Sequence, residues 1–154
     1  MIFIVISFSS CAHVISGELL ERTDRTISTR SLFEDPNLWK GKIVILGGNI
    51  VGSLNRSEGT YIEVVQKELS GTGKPKFTDI SDGRFLILYD GYLDTAIYSK
   101  GRLVTVAGEV MGSKVRSLGE IDYSYLLLKS LELHLLQPGS RPTVSFGIGI
   151  SERF

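Results

Sequence analysis

The sequence predicts an all-β protein: a small, Gly-rich antiparallel β-barrel of the OB-like kind, with a β-sandwich as the alternative. Its 154 residues include 17 glycines and only 4 prolines, a composition typical of chains with many turns and bulges. From Lys42 onward, short apolar or alternating segments are separated by turn residues, which is the spacing expected of a barrel or sandwich. The length fits one domain with its own hydrophobic core.

The strands follow one another at short intervals. They are expected at residues 42–46, 60–69, 83–89, 103–110 and 122–136. Gly47 and Gly48 should interrupt the first strand, at a bulge or a close approach of two backbones, and Gly112 should end the fourth. The last segment is rich in leucine, so its front half also permits a helix.

The chain begins with an apolar run that turns small just before its only cysteine, Cys11. The run is too short to span a bilayer, which takes roughly 20 apolar residues, but it has the length of the apolar region of a signal peptide. Ser9 and Ser10 before Cys11 resemble a bacterial lipobox, which makes Cys11 the predicted lipid-modified residue. The alternative is a buried strand with an ordinary core cysteine. Because no Lys or Arg precedes Cys11, the true translation start is expected further upstream.

These features divide the chain into four segments. We expect a signal peptide at 1–10, a lipid-anchored tether or first edge strand at 11–30, the β-barrel domain at 31–137 and a C-terminal tail at 138–154. Within the domain, a short helix or turn should begin near Ser31, a possible N-cap, and stop at Gly41.

Composition argues against several kinds of chemistry. Seventeen basic and seventeen acidic residues give a net charge of +0, which supplies no field to gather nucleic acid. One cysteine permits neither an internal disulfide nor a cysteine-based metal site. His13 lies in the tether, and His134 alternates with Leu133 and Leu135 in a strand. We therefore predict no catalytic residue, metal or cofactor, and a hydrolase that uses His134 with a nearby carboxylate is the least favoured hypothesis.

Two further groups of residues have both a structural and a functional interpretation. Six carboxylates could hold a cation or act as an acid and base: Asp79, Asp82, Asp90, Asp94, Glu109 and Glu120. Asp before Gly is also the usual signature of a turn, and we favour the turn interpretation. Tyrosines on a barrel face could contact a glycan or a partner, although half-buried sheets are also rich in tyrosine; they are Tyr61, Tyr89, Tyr92, Tyr98, Tyr123 and Tyr125.

The order of several short motifs resembles that of the Slp family of bacterial outer-membrane lipoproteins. The motifs are WKGKIVILGG at 39–48, TYIEVVQ at 60–66, DGRFL at 82–86, GYLD at 91–94, GRLVTVAGE at 101–109, GEIDYSY at 119–125 and LHL at 133–135.

The resemblance implies a non-enzymatic envelope protein associated with starvation or stationary phase. It also implies an anchor in the outer membrane with the domain in the periplasm, because Ala12, not Asp, follows Cys11. The alternative is a periplasmic ligand-binding module for glycan or lipid. The expected partners are the membrane and an envelope glycan, lipid or protein.

Overall fold

A computed structural model describes residues 12–137 of the chain. The elements, in chain order, are helices α1 (Gly17–Arg22) and α2 (Thr29–Glu34), a 3₁₀ helix (Pro36–Trp39), and strands β1 (Ile43–Arg56), β2 (Gly59–Gln66), β3 (Arg84–Tyr89), β4 (Leu103–Leu118) and β5 (Ile121–Leu136). The predicted signal peptide at 1–10, the predicted lipid site Cys11 and the tail at 138–154 lie outside the described residues.

The five strands form one sheet in the order β1-β2-β3-β5-β4, and β4 pairs back with β1 to close a ring. This arrangement confirms the all-β, barrel-like fold class. The sheet is not purely antiparallel, since β3 and β5 run parallel from Phe85 and Leu126 to Leu88 and Lys129. A closed ring with an odd number of strands cannot alternate in direction at every pair, so one parallel pair is unavoidable.

Three strand predictions change in the structure. β1 continues through Gly47 and Gly48; a Cβ on Gly48 would overlap the Val65 carbonyl, so the predicted close approach is confirmed but the interruption is wrong. β4 runs past Gly112, which takes a φ of +100° at a bulge in the pairing with β5. The whole of 121–136 is strand, so the alternative of a helix in its front half is wrong.

The core fills the inside of the ring. Its buried side chains come from all five strands and from α2: Leu32, Val44, Leu46, Ile50, Ile62, Val64, Phe85, Ile87, Val104, Val106, Val110, Leu126 and Leu128. Phe33 of α2 meets Phe85 edge to face, with ring centroids 6.3 Å apart. Helix α2 therefore covers the core.

A second, smaller cluster attaches the N-terminal segment to the outside of the ring. Ile15 and Leu19 pack on Ala107 of β4 and Ile45 of β1. The segment predicted as an edge strand or tether thus contains α1, which begins at Gly17, and it lies against the sheet. No strand lies in the described part of this segment, residues 12–30, and the short helix is held by packing on the sheet, since six residues have little helical stability of their own.

A candidate ligand-binding cleft

The second half of β4 leaves β1 and pairs only with β5. Residues 113–125 thereby form a two-stranded arm that places Lys114 opposite Tyr125 and Arg116 opposite Tyr123. The arm reaches β2, where Lys114 Nζ donates a hydrogen bond of 2.7 Å to the Tyr61 hydroxyl.

A cleft of about 410 Å³ opens between the arm and the β1–β2 hairpin, and we call it the tyrosine cleft. Its lining consists of Gly52, Ser53, Leu54, Tyr61, Glu63, Arg116, Ser117, Leu118 and Tyr125. Aromatic rings, hydroxyls and charged groups therefore meet in one concave surface, which is more polar than the usual pocket for a small apolar ligand.

Tyr61 forms one wall of the tyrosine cleft and is held from several sides. Only 5% of the residue is exposed, and its hydroxyl donates to Glu58 Oε1 at 3.1 Å. Lys114 Nζ lies 4.1 Å and Arg116 Cζ 5.5 Å from the ring centroid, so both cations stack on the aromatic face. Among the described residues Arg116 makes no ion pair, and its guanidinium donors remain available to a ligand.

Glu63 is the centre of a fixed polar network in the same cleft. Its Oε1 accepts hydrogen bonds from Arg84 Nη1 at 2.8 Å and from the Tyr125 hydroxyl at 3.0 Å. The hydrogen bond to Glu63 raises the pKa of Arg84 against the effect of burial. Burial, with the hydrogen bond to Glu63, raises the pKa of Tyr125. Tyr125 therefore stays a neutral phenol, and it donates its hydroxyl proton to Glu63.

His134 lies elsewhere, on β5, and pairs with a carboxylate. Its Nε2 is 2.6 Å from Glu132 Oε1, while Glu132 Oε2 accepts from Ser16 Oγ at 2.6 Å. In a Ser-His-Asp triad the imidazole stands between the hydroxyl and the carboxylate. Here the carboxylate stands in the middle, so His134 is not placed to take a proton from Ser16.

The predicted carboxylate group does not come together as a site. Asp94 caps a turn by accepting from the Ala96 backbone N–H at 2.9 Å, as the turn interpretation expects. Across residues 12–137 no three Asp, Glu, His or Cys side chains gather closely enough to hold a metal ion.

The structure brings three of the six tyrosines together. Tyr61 and Tyr125 line the tyrosine cleft, and Tyr123 packs edge to face on Tyr125 with centroids 4.7 Å apart. Tyr89 ends β3, and Tyr92 and Tyr98 lie in the connection that follows. The sequence did not indicate the charged residues of the cleft, Glu63 and Arg116, or Arg84 and Lys114, which bond to its lining residues. The one available signal was the alternation of Lys114 and Arg116 directly after Gly112.

The helices of the described part are all short. None of them has both the length and the apolar character that a bilayer crossing requires.

Comparison with known proteins gives a consistent set of relatives. A model of the outer membrane lipoprotein Slp family matches residues 8–146. An uncharacterised protein of Haemophilus influenzae is 31% identical over 90 residues, covering 58% of this chain and 49% of the relative. The uncharacterised lipoprotein YeaY of Escherichia coli is 28% identical over 94 residues, covering 61% and 48%.

A third relative is matched over a longer stretch. The outer membrane protein Slp of Escherichia coli is 25% identical over 124 residues, which cover 80% of this chain and 64% of the relative. The chain therefore spans about half the length of the first two curated relatives and somewhat more of the third.

Proposed function

The chain belongs to the outer membrane lipoprotein Slp family, and on that premise we propose that it is a lipid-anchored, non-enzymatic binding protein of the outer membrane. In this proposal Cys11 carries the anchor, the domain faces the periplasm, and the tyrosine cleft holds an envelope glycan. Membership of the family supports the membrane location. The anchor residue, the orientation and the ligand are our inferences.

The lipobox-like sequence supports Cys11 as the anchor. It is the only thiol of the chain, and Ser9 and Ser10 precede it. Stable membrane attachment takes at least two acyl chains, each buried methylene contributing about 0.8 kcal/mol, and lipoprotein modification supplies them.

The tyrosine cleft is the observation that carries the binding role. OB-like barrels bind oligosaccharides and oligonucleotides on the face of their second and third strands, beside the β1–β2 and β4–β5 loops. The tyrosine cleft has that position, since Tyr61 and Glu63 lie on β2 and Arg116 and Tyr125 lie on the arm. The net charge of +0 favours a glycan over a nucleic acid.

A glycan also fits the lining better than the acyl chain of a lipid does. Sugar hydroxyls both donate and accept hydrogen bonds, and the cleft offers an acceptor in Glu63 and donors in Arg116. The Ser53 hydroxyl donates to the Tyr98 carbonyl, so it can only accept from a ligand. An acyl chain would bring no partner to the Arg116 guanidinium, at a cost of about 1–3 kcal/mol for a donor that it buries.

The proposed anchor is tested by intact mass and membrane fractionation of the full chain, expressed from its genomic context beside Cys11→Ser. We expect an acylated chain that begins at Cys11 and floats with outer membranes, and a Cys11→Ser variant that does not. An unmodified protein that keeps Met1 would overturn the anchor. Resistance of the domain to protease in intact cells, lost when the outer membrane is opened, tests the periplasmic orientation.

The proposed binding is tested by titrating the detergent-purified full chain with peptidoglycan fragments and lipopolysaccharide core oligosaccharides. We expect saturable binding that Arg116→Ala weakens about tenfold, equivalent to about 1.4 kcal/mol. Arg25→Ala is the matched control, because Arg25 is exposed and lies outside the tyrosine cleft.

Three results would change the proposed binding role. Flat titrations across the glycan panel would overturn it, and saturable binding of phospholipid alone would support the lipid alternative. Turnover of any fragment would overturn the non-enzymatic role.

The starvation association, which the family resemblance implies, predicts a higher protein level in stationary phase by immunoblot, and a constant level would contradict it.

A further inference from the structure

The N-terminal segment is fixed to the body of the domain from its first described residues. The Val14 N–H donates to the Thr72 carbonyl at 2.9 Å, and Ile15 is only 1% exposed. The His13 ring lies so close to Gly73 that an added Cβ would approach Cε1 to 2.5 Å.

These contacts leave little free chain between Cys11 and the domain. Two residues of extended chain span at most about 7 Å, so the Cα of Cys11 lies no further than that from the Cα of His13. A lipid on Cys11 therefore brings the surface around His13 and Thr72 close to the bilayer.

The same surface belongs to the connection between β2 and β3, residues 67–83. Its first part, residues 68–76, is a hairpin: Ser70 N–H donates to the Lys74 carbonyl, and Leu69 bridges Pro75. The buried Thr105 hydroxyl of β4 donates to the Gly73 carbonyl at 2.7 Å. The hairpin is thus held against the outside of the ring.

Two bulky apolar side chains project from this connection into solvent. Phe77 is 80% exposed and Ile80 is 79% exposed, the highest values among the large hydrophobic residues of the described part. Amphipathic surfaces bury such side chains at the boundary between lipid headgroups and acyl chains.

The charges of the connection balance. Its three lysines, Lys67, Lys74 and Lys76, are matched in number by Glu68, Asp79 and Asp82, and Lys76 pairs with Glu68 at 2.6 Å. Contact with a bilayer would therefore come from the two apolar side chains and not from an attraction to anionic headgroups.

We propose that the β2–β3 connection is the membrane-facing surface of the domain, with Phe77 and Ile80 inserted into the phospholipid leaflet that carries the lipid on Cys11. The inference rests on the proposed anchor. Gly47 of β1 lies against Leu69 and Pro75 of the connection, whereas Ser53 of the same strand lines the tyrosine cleft. Six residues of strand separate them by about 20 Å, so the cleft is held away from the lipid.

The test uses the full chain coupled through its only thiol, Cys11, to a maleimide lipid in phosphatidylethanolamine–phosphatidylglycerol vesicles. Bromine-labelled phosphatidylcholine in the same vesicles quenches nearby tryptophans. The variants are Phe77→Trp and Ile80→Trp, each compared with the parent that has Trp39 alone. Tyr92→Trp is the matched control, since Tyr92 is 71% exposed but belongs to the β3–β4 connection.

We expect the added emission at 77 and 80 to shift to the blue and to be quenched most by bromines about 5–10 Å below the headgroups. The added emission at 92 should be unchanged. The proposal would be overturned if, in protein that floats with the vesicles, the tryptophans at 77 and 80 showed the same emission wavelength and quenching as the tryptophan at 92. Because the coupling is chemical, this result does not depend on acylation in the cell, which the intact mass tests separately.

Discussion

At the scale of single residues, Glu132 links the last strand to the N-terminal segment. Its carboxylate accepts from the Ser16 N–H at 3.0 Å and from the Ser16 hydroxyl at 2.6 Å, and it also pairs with His134. Burial raises the pKa of Glu132, but the hydrogen bonds from Ser16 and His134 outweigh it and lower the pKa below the ordinary value of 4.5. The ionised carboxylate therefore stabilises the attachment of α1.

The sign of this shift predicts a stability that depends on pH. A lowered pKa in the folded state contributes stability that is present above the unfolded pKa and is lost as the pH falls through the folded value. Glu132→Gln should reduce the free energy of unfolding by about 1 kcal/mol at pH 7. The difference from the parent should shrink below about pH 4, as measured by urea denaturation at both pH values.

Glu120→Gln serves as the control for this prediction. Glu120 lies exposed in the turn between β4 and β5, so its change should have little effect at either pH. A gap between Glu132→Gln and the parent that stays the same at low pH would contradict the role assigned to the carboxylate.

His134 and Tyr61 mark how far sequence reasoning reaches at this scale. Alternation with Leu133 and Leu135 correctly placed His134 on a strand. Its network could not be predicted, because Ser16 lies 116 residues from Glu132 along the chain. Tyr61 was one of six candidate tyrosines, and only the folded arm separates it from the others by placing Lys114 on its ring.

At the scale of elements, glycine was the least reliable guide. Gly112 looked like a strand end, yet β4 continues through it because β5 offers a partner along its whole length. The short helix α1 was not predicted from the sequence, because its local sequence contributes little to its stability. Six residues have little helical stability of their own, and Ile15 and Leu19 secure the segment only through packing on Ala107.

Gly48 provides a test of the close approach between β1 and β2. A Cβ there would overlap the Val65 carbonyl, which is backbone and cannot rotate away. Gly48→Ala should therefore cost about 3 kcal/mol of unfolding free energy, as overpacking of a tight site does. Chemical denaturation followed by circular dichroism measures the loss.

Gly52→Ala is the matched control on the same strand. A Cβ at Gly52 meets nothing within 4 Å, and alanine in a strand is about 0.5–1 kcal/mol better than glycine. Equal destabilisation by the two changes would show that the separation of β1 and β2 is not the constraint at Gly48.

At the scale of the whole molecule, the ring separates two surfaces. The N-terminal segment and the β2–β3 connection lie on β1 near Ile45 and Gly47, and the tyrosine cleft begins at Gly52 further along the strand. The sequence predicted the barrel class from strand spacing. It could not predict which strands pair, because those contacts join segments far apart in the chain, and neither the arm nor the cleft can be located without them.

Phe85 tests whether the ring and its covering helix form one cooperative unit. It is completely buried among the inward side chains of the strands and contacts Phe33 of α2 edge to face. Phe85→Ala should cost about 3–5 kcal/mol, the usual loss for a large aromatic side chain in a core. Phe77→Ala, at an 80% exposed position, should change stability by no more than about 0.5 kcal/mol.

The course of unfolding distinguishes a single unit from a ring with a loosely attached cover. Each strand of the ring has two neighbours, so no edge is free to separate first, and Trp39 packs against the same core. Trp39 emission reports on the covering helices, and far-ultraviolet circular dichroism reports mainly on the strands. We expect both signals to change together in Phe85→Ala at a lower urea concentration than in the parent. Emission that changes before the dichroism would mean that the helices leave a ring that stays folded, and that the core inside the ring is stable without them.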